Sequence, residues 1–262
     1  MGHEPLQTTR DARGVVTLTL NRPRAFNALS DEMIDALTHT FESLAHDETL
    51  RAVVIAGAGR AFCAGHDLHE MRAQPSYAYY EKLFSRCGQM MLSMLRLPVP
   101  VIARVHGIAT AAGCQLVALC DLAVASPDAR FAVSGIHAGL FCATPGVALS
   151  RNLGRKAAFE MLVTGAFIDA ATAHARGLIN RVAASPAAEA LDAEIESLLR
   201  SILDKPQPAL AIGKALFYRQ IELDLDAALT DAAQTMARNM MQPCALEGVQ
   251  AFIEKRAPRW PV

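Results

Sequence analysis

The spacing of hydrophobic and polar positions changes several times along the chain, and each change marks an element. Val15 to Leu20 alternates apolar and small polar residues and ends at Asn21-Arg22-Pro23, which predicts a strand followed by a turn. From Ser30 the period becomes helical. Met33, Leu37, Phe41 and Leu44 form one apolar stripe, with Ser30 as the N-cap and Asp31 and Glu32 in the first turn. Ala52 to Ala56 is a short unbroken apolar run stopped by Gly57-Ala58-Gly59, which suits a strand buried on both faces. A helix is predicted over Tyr80 to Leu97, ending before Pro98. A strand over Val101 to Val105, a helix over Ala111 to Leu119 and a strand over Leu122 to Ala125 follow. Strands that alternate with helices predict an α/β fold.

Beyond residue 185 the pattern is helical throughout. Ser185-Pro186 opens a helix with Leu191, Ile195, Leu198 and Ile202 on one face. Three more follow over about Leu210 to Gln220, Leu225 to Met241 and Leu246 to Lys255. The expected organisation is a core over residues 1–185 and a helical region over residues 186–262. Such a region suits packing on another copy of the chain, and a homo-oligomer is expected. An intrachain helical layer is the alternative.

Composition narrows the function. The 262 residues are 52% hydrophobic and 19% charged, a globular balance, and 25 basic residues against 26 acidic ones leave a net charge of −1. Without a basic run, neither nucleic acid nor an anionic membrane is an expected partner. Apolar stretches are interrupted well before the ~18 residues a membrane helix needs. Met1 to Arg13 is polar, and a soluble, cytoplasmic protein is expected. Cys63, Cys87, Cys114, Cys120, Cys142 and Cys244 are scattered, with no C-x-x-C pair, and read mainly as small core residues. His66 and His69 lack a third ligand at metal spacing, so no metal is expected. A dinucleotide fingerprint begun at Gly57 fails because its third glycine would be Phe62. Neither a phosphate-binding G-x-x-x-x-G-K-[ST] nor a hydrolase G-x-S-x-G is present.

Two segments carry candidate chemistry. In GRAFCAGHDLHEM, Gly59 to Met71, small residues let a ligand approach the backbone. Asp67 is suited to cap a following helix. In HGIATAAGCQLVALCD, His106 to Asp121, a strand ends at a glycine. Thr110 is then placed to cap a helix whose free N–H groups suit a developing oxyanion.

These two segments resemble the oxyanion loops of the crotonase superfamily, the enoyl-CoA hydratase/isomerase family. Asn21-Arg22-Pro23 with Asn27-Ala28-Leu29 resembles that family's first CoA-contact loop. Thr164-Gly165 through Gly177-Leu178-Ile179-Asn180 resembles a further family segment. Gly139 to Arg151, Gly213 to Gln220 and Glu247 to Trp260 resemble a subgroup, the enoyl-CoA hydratase domain-containing proteins. The resemblance implies a spiral of ββα turns with C-terminal helices that assemble a homotrimer or a dimer of trimers. It implies a CoA thioester as the ligand, with no cofactor beyond the CoA of the substrate and a role in fatty acid metabolism. The thioester carbonyl would be held by the backbone N–H groups of His66 and Ala112. Arg22, Arg24, Ala25, Ala64, His66, Asp67, Leu68 and Gly113 would line the substrate site, with Arg60 and Lys255 as weaker candidates.

The chain departs from the family where hydration needs an acid and a base. The positions of the two usual glutamates are Gln115 and Gly135. An amide holds a water but does not take its proton, and glycine has no side chain. Hydration is therefore doubtful, and isomerase, thioester hydrolase or decarboxylase chemistry and a non-catalytic acyl-CoA-binding role stay open. His66 and His137 are the nearby histidines, a residue type suited to acid–base work near neutral pH, although a structural role is favoured for His137. Cys142 is a conceivable nucleophile with no evident base beside it.

Overall fold

The computed structural model describes residues 4–260. The elements are β1 (Leu6–Arg10), β2 (Val15–Leu20), α1 (Asp31–Leu44), β3 (Ala52–Gly57), α2 (Leu68–Ala73), α3 (Tyr77–Leu95), β4 (Val101–Val105), β5 (Ile108–Thr110) and α4 (Ala112–Leu119). These continue as β6 (Leu122–Ala125), β7 (Arg130–Ala132), α5 (Ala143–Asn152), α6 (Arg155–Thr164), β8 (Ile168–Asp169), α7 (Ala170–Ala175) and β9 (Arg181–Val182). Four helices close the chain: α8 (Ala188–Leu203), α9 (Gln207–Gln220), α10 (Leu225–Met240) and α11 (Pro243–Ile253).

A six-stranded sheet has the order β1-β2-β3-β4-β6-β9, antiparallel only between β1 and β2. A smaller sheet, β5-β7-β8, stands beside it. The parallel strands are apolar on both faces because both faces are covered. Val53 and Ile55 of β3 join α1 and α3 in the main core. Ala52 and Val54, one residue out of phase, meet Leu191, Ile195, Leu198 and Leu199 of α8 on the opposite face. So α8, which the sequence groups with the C-terminal helices, covers the sheet. Among the C-terminal helices, α9, α10 and α11 leave large apolar side chains in the open, where Phe217, Leu225, Leu229, Met236 and Phe252 are exposed.

The predicted strands and helices of the first half are present, with shifted ends. The third helix starts at Tyr77, three residues earlier than predicted, because the Ser76 hydroxyl accepts from the Tyr79 N–H and caps it there. α9 and α11 also begin earlier, at Gln207 and Pro243. Proline is tolerated in a first helical turn, where an apolar stripe is not yet visible. The predicted helix after Ser185-Pro186 begins at Ala188, with Ala187 as its N-cap.

Candidate active site

Three chain segments run side by side to build the site. On one flank the loop at residues 63–67 is clamped by residues 26–29. The Ala64 N–H donates to the Phe26 carbonyl (3.0 Å), that of Leu29 to the Gly65 carbonyl (2.7 Å) and that of Asp67 to the Leu29 carbonyl (3.2 Å). On the other flank it pairs with β5, through the Cys63 N–H to Ile108 (3.1 Å) and the Thr110 N–H to the Cys63 carbonyl (3.0 Å). Asn27, fully buried, steadies the first segment: its amide donates to the Ala58 and Ala61 carbonyls, and its side-chain oxygen accepts from the Arg22 N–H.

This arrangement presses the turn at Gly65 against the start of α4. Gly65 has φ +90°, and a Cβ there would lie 2.8 Å from the Ala111 Cβ and 3.0 Å from the Ala112 nitrogen. Only glycine fits both the left-handed backbone and the space. Gly113 is as constrained: a Cβ would meet the Cys63 carbonyl at 2.2 Å. Ala111 has φ 51° and ψ −122°, a strained geometry for a residue with a side chain. The strain turns the chain so that α4 begins at Ala112 and offers that residue's N–H, which has no intrahelical partner. Residue 66 is the central residue of a parallel bridge with Leu29, so its own N–H is turned away from Leu29. Among the described residues, neither the His66 nor the Ala112 N–H meets a protein acceptor.

The expected cap by Thr110 is not formed. Ala111 is the N-cap residue, without a side-chain hydrogen bond, and Thr110 Oγ1 pairs instead with Ser134 Oγ at 2.9 Å. The free N–H groups at the start of α4 are therefore not occupied by a capping side chain. The expected cap by Asp67 is present: its carboxylate accepts from the His69 and Glu70 N–H groups at the head of α2.

Of the proposed site residues, Ala64, His66, Leu68, Ala112 and Gly135 line one chamber of about 280 Å³. Met71, Phe84, Ser134, Phe141 and Cys142 are among the other residues of its wall. The imidazole of His66 meets the edge of Phe84, with ring centroids 5.4 Å apart. Neither ring nitrogen makes a well-formed hydrogen bond. Burial pushes the His66 pKa down to about 4, only partly opposed by the nearby Leu29 backbone and Asp31. At neutral pH it is therefore an uncharged ring. Burial likewise raises the Cys142 thiol, against a smaller lowering by the Gly135 backbone. Among the described residues, no Asp, Glu, Lys or Arg lines the chamber.

The structure accounts for Gly135. A Cβ there would lie 2.7 Å from Cys142 Sγ and 2.8 Å from the Leu140 carbonyl, so the thiol fills the space a side chain would need. Gln115 lines not this chamber but an adjoining cavity of about 720 Å³, and its buried Oε1 has no hydrogen-bond partner. His137 stands outside the chamber wall, with Nε2 3.3 Å from the Gly165 carbonyl. Arg22 is occupied within the protein: its guanidinium donates to Asp67 Oδ2 and to the Ala28 carbonyl, both at 2.9 Å. Burial raises the Asp67 pKa, but hydrogen bonds from Arg22, His69 and Glu70 outweigh it and hold the carboxyl below its ordinary value. Arg22 thus ties the amide-bearing loop in place, and exposed Arg24, beside Ala25 in the short helical turn Pro23–Ala25, is the freer cation. Arg60 stacks over Phe26, 4.2 Å from the ring centroid. Lys255 is exposed in the turn after α11, at φ 54°. No pattern in the sequence marks Phe84 or Ser134, because each reaches the chamber only through the fold.

Residues 10–261 match the family model described as enoyl-CoA hydratase/isomerase. The chain belongs to the enoyl-CoA hydratase/isomerase family. It is 42% identical over 258 residues to the mitochondrial enoyl-CoA hydratase domain-containing protein 3 of Xenopus laevis, covering 98% of this chain and 87% of that one. A crystal structure of enoyl-CoA hydratase from Mycobacterium smegmatis superposes with a TM-score of 0.96 at 67% identity, over 98% of this chain and 99% of the other. The human enoyl-CoA hydratase domain-containing protein 3 does so with a TM-score of 0.92 at 41% identity, over 98% and 100%. The expected crotonase-type fold and family are thereby confirmed.

Proposed function

We propose that this chain binds acyl-CoA thioesters and stabilises the thioester enolate between the N–H groups of His66 and Ala112. The observation that carries the reading is that His66 and Ala112, whose N–H groups meet no protein acceptor among the described residues, line one largely apolar chamber where Gly65 packs against the strained start of α4. Each such donor is typically worth about 3–4 kcal/mol when charge develops on the oxygen it faces. An uncharged wall strengthens that interaction, because nothing else in the chamber competes for the charge. Arg24 and Arg60, at the loop next to the site, are the cations we assign to the CoA phosphates. A homotrimer or a dimer of trimers is the expected assembly.

Hydration should be slow. Losing a general acid or base costs about 10²–10⁴-fold, and neither glutamate position carries one. The test is a bound acyl-CoA labelled with ¹³C at the thioester carbonyl. A carbonyl stretch at lower frequency than in water is expected, together with little loss of enoyl absorbance from crotonyl-CoA. An unshifted stretch would remove the oxyanion site.

The lack of any carboxylate in the chamber favours one chemistry over others that need a base. In decarboxylation of a 2-carboxyacyl thioester, the bond from Cα to the carboxylate breaks, its electron pair enters the enolate, and carbon dioxide leaves. A solvent proton then reaches Cα. Only the oxyanion donors are required, and a low-polarity chamber disfavours the starting carboxylate more than the departing carbon dioxide. Release of carbon dioxide from malonyl-CoA or a 2-alkylmalonyl-CoA tests this second reading, and background rates with both would end it.

A further inference from the structure

An enolate held in the chamber must end by taking a proton at the α-carbon of its acyl group, and the wall offers few groups that can give one. Among the described residues, its protic side chains are His66, Ser134, Cys142 and Thr144. The Ser134 hydroxyl is engaged with Thr110 Oγ1 at 2.9 Å. The His66 ring, with its pKa near 4, is already neutral at pH 7 and has no labile second proton to give. A hydroxyl such as that of Thr144 is a far weaker acid than a thiol, whose ordinary pKa is about 8.5. The Cys142 thiol is thus the strongest acid on the wall.

Two elements place that thiol. Cys142 is the N-cap residue of α5, and its side chain makes no cap hydrogen bond. Its Sγ lies 2.7 Å from where a Cβ on Gly135 would stand, so sulfur fills the wall at one of the two positions that lack a glutamate. Without a base beside it, and with burial raising its pKa, the thiol keeps its proton at neutral pH and is an acid rather than a nucleophile. Once the proton has left, the Gly135 backbone and the positive end of α5 favour the thiolate. Signs of a ligand in this chamber are independent of the thiol. The His66 and Ala112 N–H groups meet no protein acceptor, and both His66 ring nitrogens are buried without a partner.

We propose that Cys142 is the catalytic acid that carries the proton to the α-carbon of the enolate. This rests on the proposed thioester site, because the enolate is the one held there. In the step, the S–H bond breaks and sulfur keeps its electron pair. The enolate supplies the pair for the new C–H bond, its oxygen returns to a carbonyl, and solvent restores the proton to sulfur. By microscopic reversibility the thiolate takes the same proton back, so a saturated acyl thioester exchanges an α-hydrogen with solvent on the face that Cys142 serves. Hydration stays slow, because the thiol serves the α-carbon and supplies no base for the water.

The test follows propionyl-CoA, labelled with ¹³C at the thioester carbonyl, in deuterium oxide with the wild-type chain, Cys142→Ala and Cys142→Ser. Nuclear magnetic resonance reads deuterium at the α-carbon, and the carbonyl stretch reads the amide site separately. Wild type should take up one deuterium on one face, at least about a hundredfold faster than the free thioester. Both variants should lose at least about a hundredfold of that rate and keep the shifted stretch, since neither substitution touches the two amides. A shifted stretch in wild type without exchange, or exchange in both variants within about threefold of wild type, overturns the proposal and leaves the thioester site standing. Loss of the stretch shift in both variants overturns it as well, because the thiol would then be shaping the site rather than moving a proton. An unshifted stretch in wild type removes the thioester site itself, and the proposal with it.

Discussion

His66 combines a backbone N–H that meets no protein acceptor among the described residues with a half-buried ring whose two buried nitrogens have no hydrogen-bond partner. The ring sets a pH dependence whose sign follows from linkage. Its folded pKa is about 4, below the ~6.5 of the unfolded chain. Between those values the unfolded state binds the extra proton, so stability rises with pH across that window and is lost as pH falls through it. The full swing is on the order of 3 kcal/mol. Urea midpoints measured at about pH 7.5 and pH 4.5 should differ less in His66→Phe than in wild type. An identical difference in the two proteins would show that His66 does not carry the effect. Gly135→Glu is the companion case. Cys142 Sγ and the Leu140 carbonyl occupy the space, so the substitution is expected to cost about 1–3 kcal/mol as overpacking and to leave crotonyl-CoA hydration unrestored. A recovered hydratase rate with unchanged stability would contradict this account of the glycine.

At the scale of elements, two ion pairs fix what the backbone alone leaves loose. Asp67 caps α2 and binds Arg22, so it joins the amide-bearing loop to the turn at residues 22–29. Asp67→Asn retains a competent cap and removes the charge, whereas Asp67→Ala removes both. Thermal unfolding should order them wild type, Asn, Ala, with the cap contributing about 1 kcal/mol of the difference between variants. Asp121 anchors α9 by accepting from Lys214, from the Tyr218 hydroxyl and from the Val101 N–H, each at 2.7 Å. Burial lowers the Lys214 pKa against the opposing pull of Asp121. Asp121→Ala leaves that ammonium without its counter-charge and should cost about 3–5 kcal/mol in chemical denaturation. A loss below 1 kcal/mol would mean that α9 is held by its apolar contacts alone. Periodicity made α1, α3, α4, α8 and the central strands legible, because each turns one repeating apolar pattern toward a core. Between Ala125 and Ser185 the sequence pattern predicts no element. Its strands β7, β8 and β9 are two or three residues long, too short for a period to register. The segments at residues 59–71 and 106–121 are legible as motifs, but the filling of the space beside Gly135 by Cys142, the pairing of Arg22 with Asp67 and the separation of Gln115 from the chamber are products of packing between distant segments. Local sequence does not encode those contacts.

Over the whole molecule, α10 has an apolar stripe with no partner among the described residues of the chain. Leu225, Leu229, Met236 and Met240 follow one another at helical spacing, and Leu225, Leu229 and Met236 are 62% to 75% exposed. On α11, Phe252 is 85% exposed and Ile253 67%. The opposite face of α10 is already in use, with Thr235 buried and accepting from Arg219 of α9. A contiguous apolar surface on well-formed helices is a place for another copy of the chain rather than for water. Sedimentation analysis at micromolar concentration should give three or six times the chain mass. In the double variant Leu229→Glu with Phe252→Glu, carboxylates would be buried against apolar partners at the contact, and the mass should fall to that of one chain. Since α8 and the sheet form their own core without α10 and α11, far-ultraviolet circular dichroism should change little in that variant. A wild-type chain that sediments as a monomer, or a variant that retains the assembly, would leave this stripe without its expected partner and remove the reason for its exposure.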